Sequence, residues 1–184
     1  LRYAYRYTAG NIIREDVKRR YIKEMTESME LEIEDEKEFL SGIINEISYV
    51  KGEMMSLSYY HSSNCSDELF AQINEGYERR LREENLIDFD DMLVFCYELL
   101  KERKDILAMW QQKFQYILID EFQDINKAQY EIVRMLAGKG DHLFIVGDDD
   151  QSIYRFRGAR PEIMLGFEKD YPDAKKVILN TNYR

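Results

Sequence analysis

Over the first half of the chain, large apolar residues recur every three or four positions. Ile13, Val17, Tyr21 and Met25 form one stripe, Phe39, Leu40, Ile43, Ile44 and Ile47 a second, and Leu69, Phe70, Ile73, Tyr77 and Leu81 a third. This is the spacing of amphipathic helices. Between the first two stripes, Glu27 to Glu38 is heavily acidic and reads as a solvated face plus a helix start. Lys51 to Asn64 has no clear period and reads as a loop, with Ser66 or Asp67 opening the third helix. In Leu86-Ile87-Asp88-Phe89-Asp90-Asp91-Met92-Leu93, Asp88 stands where a helix N-cap belongs and Asp90 and Asp91 suit the first turn. Metal ligation is the alternative use of these three acids, although capping accounts for all of them. That helix is predicted to run through Leu100, and another to cover Ile106 to Phe114.

From Gln115 the pattern becomes an alternation of strand and helix. Residues 115–120 are a continuous apolar and aromatic run, as expected of a strand buried on both faces. Asn126 and Gln129 have capping-box spacing at the start of a helix with Ala128, Ile132, Val133 and Leu136 on its buried stripe and Gly138 at its end. Residues 142–148 give a second strand, Pro161 opens a helix to about Lys169, and Lys176 to Leu179 gives a third strand. Strands separated by helices imply a parallel sheet. Three strands make a small one, and so hydrophobic a central strand implies further neighbours.

The chemistry gathers at the strand ends. In Tyr116-Ile117-Leu118-Ile119-Asp120-Glu121-Phe122-Gln123-Asp124, two adjacent carboxylates follow the apolar run. Ligands of parallel sheets bind beyond the carboxyl ends of the strands, so the pair suggests a magnesium ion and an activated water. The alternative is that Asp120 or Asp124 caps the next helix. After the second strand comes Gly147-Asp148-Asp149-Asp150-Gln151-Ser152-Ile153-Tyr154-Arg155-Phe156-Arg157-Gly158-Ala159. Gly147 permits a sharp turn at the strand tip. Gln151 can donate and accept, which suits a reporter on a phosphate oxygen. Tyr154 and Phe156 alternate with Arg155 and Arg157, offering base-stacking faces and backbone charge for single-stranded nucleic acid. The same aromatics could serve packing instead. Tyr183 and Arg184 could stack on a purine and reach a phosphate, or be ordinary surface.

Composition narrows the choice. In 184 residues, 45% hydrophobic content is enough for a real core, and the net charge of −10 excludes a generally basic nucleic-acid surface but not a local basic groove. Cys65, Cys96, His61 and His142 lie in no metal or redox spacing, so reduced thiols of a cytoplasmic protein are expected and zinc is not. No apolar run approaches the roughly 20 residues that span a bilayer, and no signal peptide opens the chain.

Taken together, DEFQD, GDDDQSIYRFRGA and LNTNYR resemble the UvrD/Rep-type DNA helicases of superfamily 1. The likeness covers residues 86 to 184, including IDFDDML, and extends loosely over the helical first half. It implies an α/β fold: part of a RecA-like P-loop NTPase sheet over residues 86–184, with a mostly helical insertion subdomain over 1–85. It also implies ATP-driven 3′-to-5′ translocation on single-stranded DNA, with duplex junctions as a further partner. By the same resemblance, Asp120 holds Mg2+, Glu121 polarises the attacking water, and Gln151 senses the γ-phosphate. Tyr183 stacks on adenine and Arg184 reaches the γ-phosphate, while Tyr154 and Phe156 stack on DNA bases with Arg157 beside them. One departure matters. The sequence contains no G-x-x-x-x-G-K-[ST]; Ala137-Gly138-Lys139-Gly140-Asp141 lacks the spacing and the hydroxyl. With Leu1 first and Arg184 last, the chain is expected to be an internal piece whose partners include a Walker A segment and a second motor domain, and which alone hydrolyses ATP negligibly and binds DNA poorly. The alternatives are the motor of a helicase-nuclease subunit, a two-metal nuclease using Asp120, Glu121, Asp148 and Asp150, and an interaction module without a P-loop.

Overall fold

The computed structural model describes residues 7–29, 31, 33–139, 142–148 and 161–178. Among the described residues five α-helices precede the first strand: α1 (Glu15–Ser28), α2 (Glu36–Gly52), α3 (Asp67–Glu83), α4 (Phe89–Glu102) and α5 (Lys104–Lys113). Then come β1 (Ile117–Ile119), α6 (Lys127–Ala137), β2 (Leu143–Ile145) and two short helices, α7 (Pro161–Leu165) and α8 (Phe167–Asp170). The result is a mostly helical α/β arrangement with a two-stranded parallel sheet.

The helix starts follow the local chemistry. Asp35, Ser66, Asp88 and Asn126 each accept a backbone N–H of the first turn of α2, α3, α4 and α6, which satisfies donors that have no partner inside the helix. At Asp88 and Asn126 the cap is reciprocal, with Asp91 and Gln129 reaching back to the cap backbone. Gly138 closes α6 at φ +58°, a conformation that favours glycine. The loop predicted over 51–64 starts only after α2 has run to Gly52, and it contains one 3-10 turn at Leu57–Tyr59.

Buried apolar side chains form two clusters. One joins α1, α2 and α3 through Tyr21, Ile22, Leu40, Ile43, Ile47, Phe70, Ile73, Tyr77 and Leu81. The other joins α4, α5 and α6 through Leu99, Leu100, Ile106 and Leu136. The two are tied by a parallel bridge between Ile12 and Ile87 and by a close approach of α2 to α6. A Cβ added to Gly52 would lie 2.8 Å from the Asn126 amide nitrogen.

Three expectations from sequence are corrected. The 115–120 strand is shorter and is not buried on both faces: Ile117 and Ile119 are half-buried, whereas Leu118 is 73% exposed. β2 repeats the pattern, with Phe144 60% exposed between half-buried Leu143 and Ile145. Side chains of a strand alternate between faces, and one face of this sheet has no cover among the described residues. Lys176 to Ile178 is not a strand; Val177 and Ile178 are largely exposed, and Leu179 lies outside the described residues. The helix expected from Pro161 to Lys169 is broken at Gly166 into α7 and α8.

Candidate functional site

β1 and β2 run parallel in the register Ile117 to Leu143, Leu118 to Phe144 and Ile119 to Ile145. Their carboxyl ends therefore lie side by side, and Asp120 and Asp148 emerge from the same end of the sheet. The ladder is carried past the strands by two further hydrogen bonds. The Val146 amide donates to the Ile119 carbonyl at 2.8 Å, and the Phe122 amide to the Val146 carbonyl at 2.9 Å. The aromatic ring of Phe122 is fully buried, with edge contacts to Tyr130 of α6 and Phe167 of α8. This anchor holds the turn after β1 against the helices.

Within that turn Glu121 adopts a left-handed backbone, φ 50° and ψ 41°. Non-glycine residues seldom do so, and such outliers cluster at functional sites. The conformation lets the Glu121 amide donate to Asp120 Oδ1 at 2.9 Å and leaves both carboxylates exposed. It also starts the 3-10 turn Phe122–Asp124, in which the Asp124 amide donates to the Glu121 carbonyl. Neither Asp120 nor Asp124 caps α6, because Asn126 does. The capping alternative for Asp120 and Asp124 is thereby removed. Burial, then the neighbouring Glu121 charge, raises the Asp124 carboxyl above its ordinary value.

Gln123 occupies the space between the two tips. It is 1% exposed. Its Nε2 donates to Glu121 Oε2 at 2.7 Å, and its Oε1 accepts from the Asp148 amide at 3.0 Å. Gly147 makes room for it: a Cβ there would stand 2.6 Å from Gln123 Oε1 and 2.8 Å from Met164 Sδ. Sequence reasoning missed this buried amide, although a glutamine two residues after the acids, beside an otherwise apolar strand, was visible.

The oxygen donors at the tips of β1 and β2 suit a hard cation such as Mg2+, which takes one or two carboxylates and keeps water or phosphate oxygens for the rest. Among the described residues no three His, Cys, Asp or Glu side chains are grouped to hold a metal by themselves. Of the four acids of the two-metal nuclease alternative, Asp120, Glu121 and Asp148 stand at these tips, and Asp150 lies outside the described residues. So do Gln151, Tyr154, Phe156, Arg157, Tyr183 and Arg184. The structure thus brings together Asp120, Glu121 and the start of the Gly147 segment.

A second polar centre was not foreseen. At the start of α4, Asp88 Oδ2 meets Lys51 Nζ at 2.9 Å, Lys18 Nζ at 3.3 Å and the Tyr77 hydroxyl at 3.1 Å. Lys51 also meets Asp91 at 2.7 Å and Glu78 at 2.6 Å, and Lys18 lies 3.7 Å from Asp90. Lys18 is buried and Lys51 nearly so, both over the ring of Tyr77. The two cations hold the Asp88 carboxyl below the usual carboxylate range despite its burial. Burial, reinforced by Asp88 and opposed by Lys51, pushes Asp91 up to about 6. The only hint of this centre in the sequence is that Lys18 and Ile22 are four apart, placing a lysine on the apolar face of α1. The acids of the IDFDD segment are helix caps, as expected, and ion-pair partners as well.

No helix among the described residues is long and apolar enough to cross a membrane. Residues 5–172 match the model of the UvrD/REP helicase N-terminal domain. The chain is 56% identical over 113 residues to the "Putative ATP-dependent DNA helicase YjcD" of Bacillus subtilis, covering 61% of this chain and 15% of that protein. It is 39% identical over 165 residues to "ATP-dependent DNA helicase Rep" of Escherichia coli, covering 89% and 24%. With "ATP-dependent DNA helicase PcrA" of Staphylococcus aureus the identity is 41% over 145 residues, covering 79% and 19%. The chain thus spans at most about a quarter of the length of these relatives. A match over nearly the whole sequence, with paired acids standing open at the tip of a parallel strand, places this chain in the UvrD/REP helicase family, within its N-terminal domain.

Proposed function

We propose that this chain is the Walker B portion of a RecA-like motor belonging to an ATP-dependent DNA helicase of 3′-to-5′ polarity acting in the cytoplasm. The observation that carries it is the pair Asp120 and Glu121, exposed at the carboxyl end of β1 beside the end of β2, with Glu121 fixed by an unusual backbone and a buried amide. The names of the relatives, all ATP-dependent DNA helicases, favour the same reaction class. The uncovered apolar face of the sheet agrees with a strand pair covered by further elements of a larger domain. The two apolar clusters agree with a helical subdomain over 1–85 and a motor portion over 86–184.

In this function Asp120 would hold Mg2+, and Glu121 orients the attacking water and draws its proton. The metal supplies charge neutralisation on the phosphates when bound. Everything else is positioning: little covalent chemistry falls to the protein in phosphoryl transfer. Gln151, Tyr183 and Arg184 take the nucleotide side, and Tyr154, Phe156 and Arg157 the single-stranded DNA side, on the sequence resemblance alone. The chain contains no G-x-x-x-x-G-K-[ST] to cradle the β- and γ-phosphates, so by itself it turns over ATP negligibly and grips DNA weakly. A Walker A segment and a second motor domain complete the cleft in the whole protein, whose substrates are single-stranded DNA and duplex junctions.

The test is ATP hydrolysis by the whole protein with and without single-stranded DNA, beside Glu121→Gln. DNA-stimulated turnover should fall by about 10²-fold or more in the variant, the range for loss of a general base. Turnover equal to the wild type would remove Glu121 from this role.

A further inference from the structure

We propose that Gln123 is a positioning residue that holds the Glu121 carboxylate in register with the tip of β2; this rests on the role of Glu121 proposed above. One planar amide makes both contacts, donating to Glu121 Oε2 at 2.7 Å and accepting from the Asp148 N–H at 3.0 Å. Its orientation is fixed by chemistry. A backbone N–H can only donate and a carboxylate can only accept. The reversed amide would set oxygen against carboxylate and N–H against N–H. The amide is fully buried, so it has little freedom to leave either partner.

Glu121 itself needs such a restraint. Its carboxylate is exposed, on a side chain with three rotatable bonds, and the left-handed backbone fixes only where that side chain begins. Gly147 supplies the complementary half of the device, since any side chain there would occupy the slot filled by the Gln123 amide. The consequence is mechanical. Glu121 and Asp148 share one rigid group, so a displacement of the β2 tip at Asp148 is passed to the carboxylate that orients the water.

The test uses the whole protein with single-stranded DNA. Gln123→Leu removes both contacts at similar volume. Gln123→Glu keeps an acceptor for Asp148 and sets a carboxylate against Glu121 in place of the donor. Both variants should lose about 10- to 100-fold in kcat, the scale of a misplacement near 1 Å. KM for ATP and the Kd of a fluorescent non-hydrolysable ATP analogue should stay within about threefold of the wild type. In a Glu121→Gln background, Gln123→Leu should add less than about threefold, because residues acting as one unit are not additive. A merely structural role would instead weaken nucleotide binding and add its full loss in the double variant. Wild-type kcat in Gln123→Leu, or additive losses, would overturn the positioning role while leaving Glu121 in place. Unchanged turnover in Glu121→Gln alone would overturn both.

Discussion

Gly147 shows how a residue can be identified correctly for an incomplete reason. Its place at a strand tip suggests a turn that only glycine tolerates, yet its backbone is not in the left-handed region; among the described residues Gly138 is the glycine that is. The requirement at 147 is for space, because the backbone passes against Gln123 and Met164. Gly147→Ala should therefore destabilise the chain by about 1–3 kcal/mol, the usual cost of overpacking, seen as a lower urea midpoint at unchanged slope. Wild-type stability in that variant would mean that the two side chains yield easily. Glu121 is the opposite case. Its carboxylate was legible from the strand that precedes it, but its left-handed φ was not. Propensity assigns that conformation to Gly, Asn or Asp, and a strained non-glycine residue is recoverable only from coordinates.

At the scale of elements, the start of α4 does more than begin a helix. Asp88 and Asp91 cap it reciprocally, and the same carboxylates receive Lys18 from α1 and Lys51 from α2, with Tyr77 and Glu78 of α3 completing the group. Caps, stripes and helix ends were legible because they depend on neighbours within about four residues. The lysines were not, since their shared partner Asp88 lies 70 residues from Lys18 and 37 from Lys51. Two cations face the four acids Glu78, Asp88, Asp90 and Asp91, so removing one cation leaves buried charge uncompensated. Lys51→Met should cost about 3–5 kcal/mol, measured by urea denaturation near pH 7. The cluster also has a pH signature with two opposite limbs. The folded state holds the Asp91 proton to about pH 6, whereas an unfolded aspartate releases it near 4. Between these values the unfolded state binds fewer protons, so stability falls as pH rises through that window. Asp88 acts in reverse: its depressed value stabilises above the unfolded aspartate range and is lost as pH falls below it. Asp90, raised by burial and by the Asp88 charge, adds to the same decline, so Asp91→Asn should lessen the decline between pH 4 and 6 and leave the acid limb in place. A decline of equal slope in the variant would assign it to another group.

For the whole molecule, the decisive feature is which side of the sheet the helices cover. The parallel order of β1 and β2 was legible from strand, helix and strand in succession, and the open tips followed from it. Burial on both faces was not a safe inference. An apolar run reports only that each face prefers to leave water, and Leu118 and Phe144 remain largely exposed together with Tyr116 and Val146. Leu118 and Phe144 are paired in register, so they form a contiguous patch rather than scattered exposure. Contiguous apolar patches at a sheet attract other apolar surface. The chain should bind a hydrophobic dye such as ANS and scatter light increasingly with concentration. Leu118→Lys with Phe144→Glu places opposite charges on a cross-strand pair, which such positions tolerate. These changes leave the half-buried face of Ile117, Ile119, Leu143 and Ile145 untouched. The double variant should lose most of the dye signal and the concentration-dependent scattering while retaining its helical circular dichroism. Persistent self-association in that variant would locate the sticky surface elsewhere, with exposed Val177 and Ile178 the next place to look.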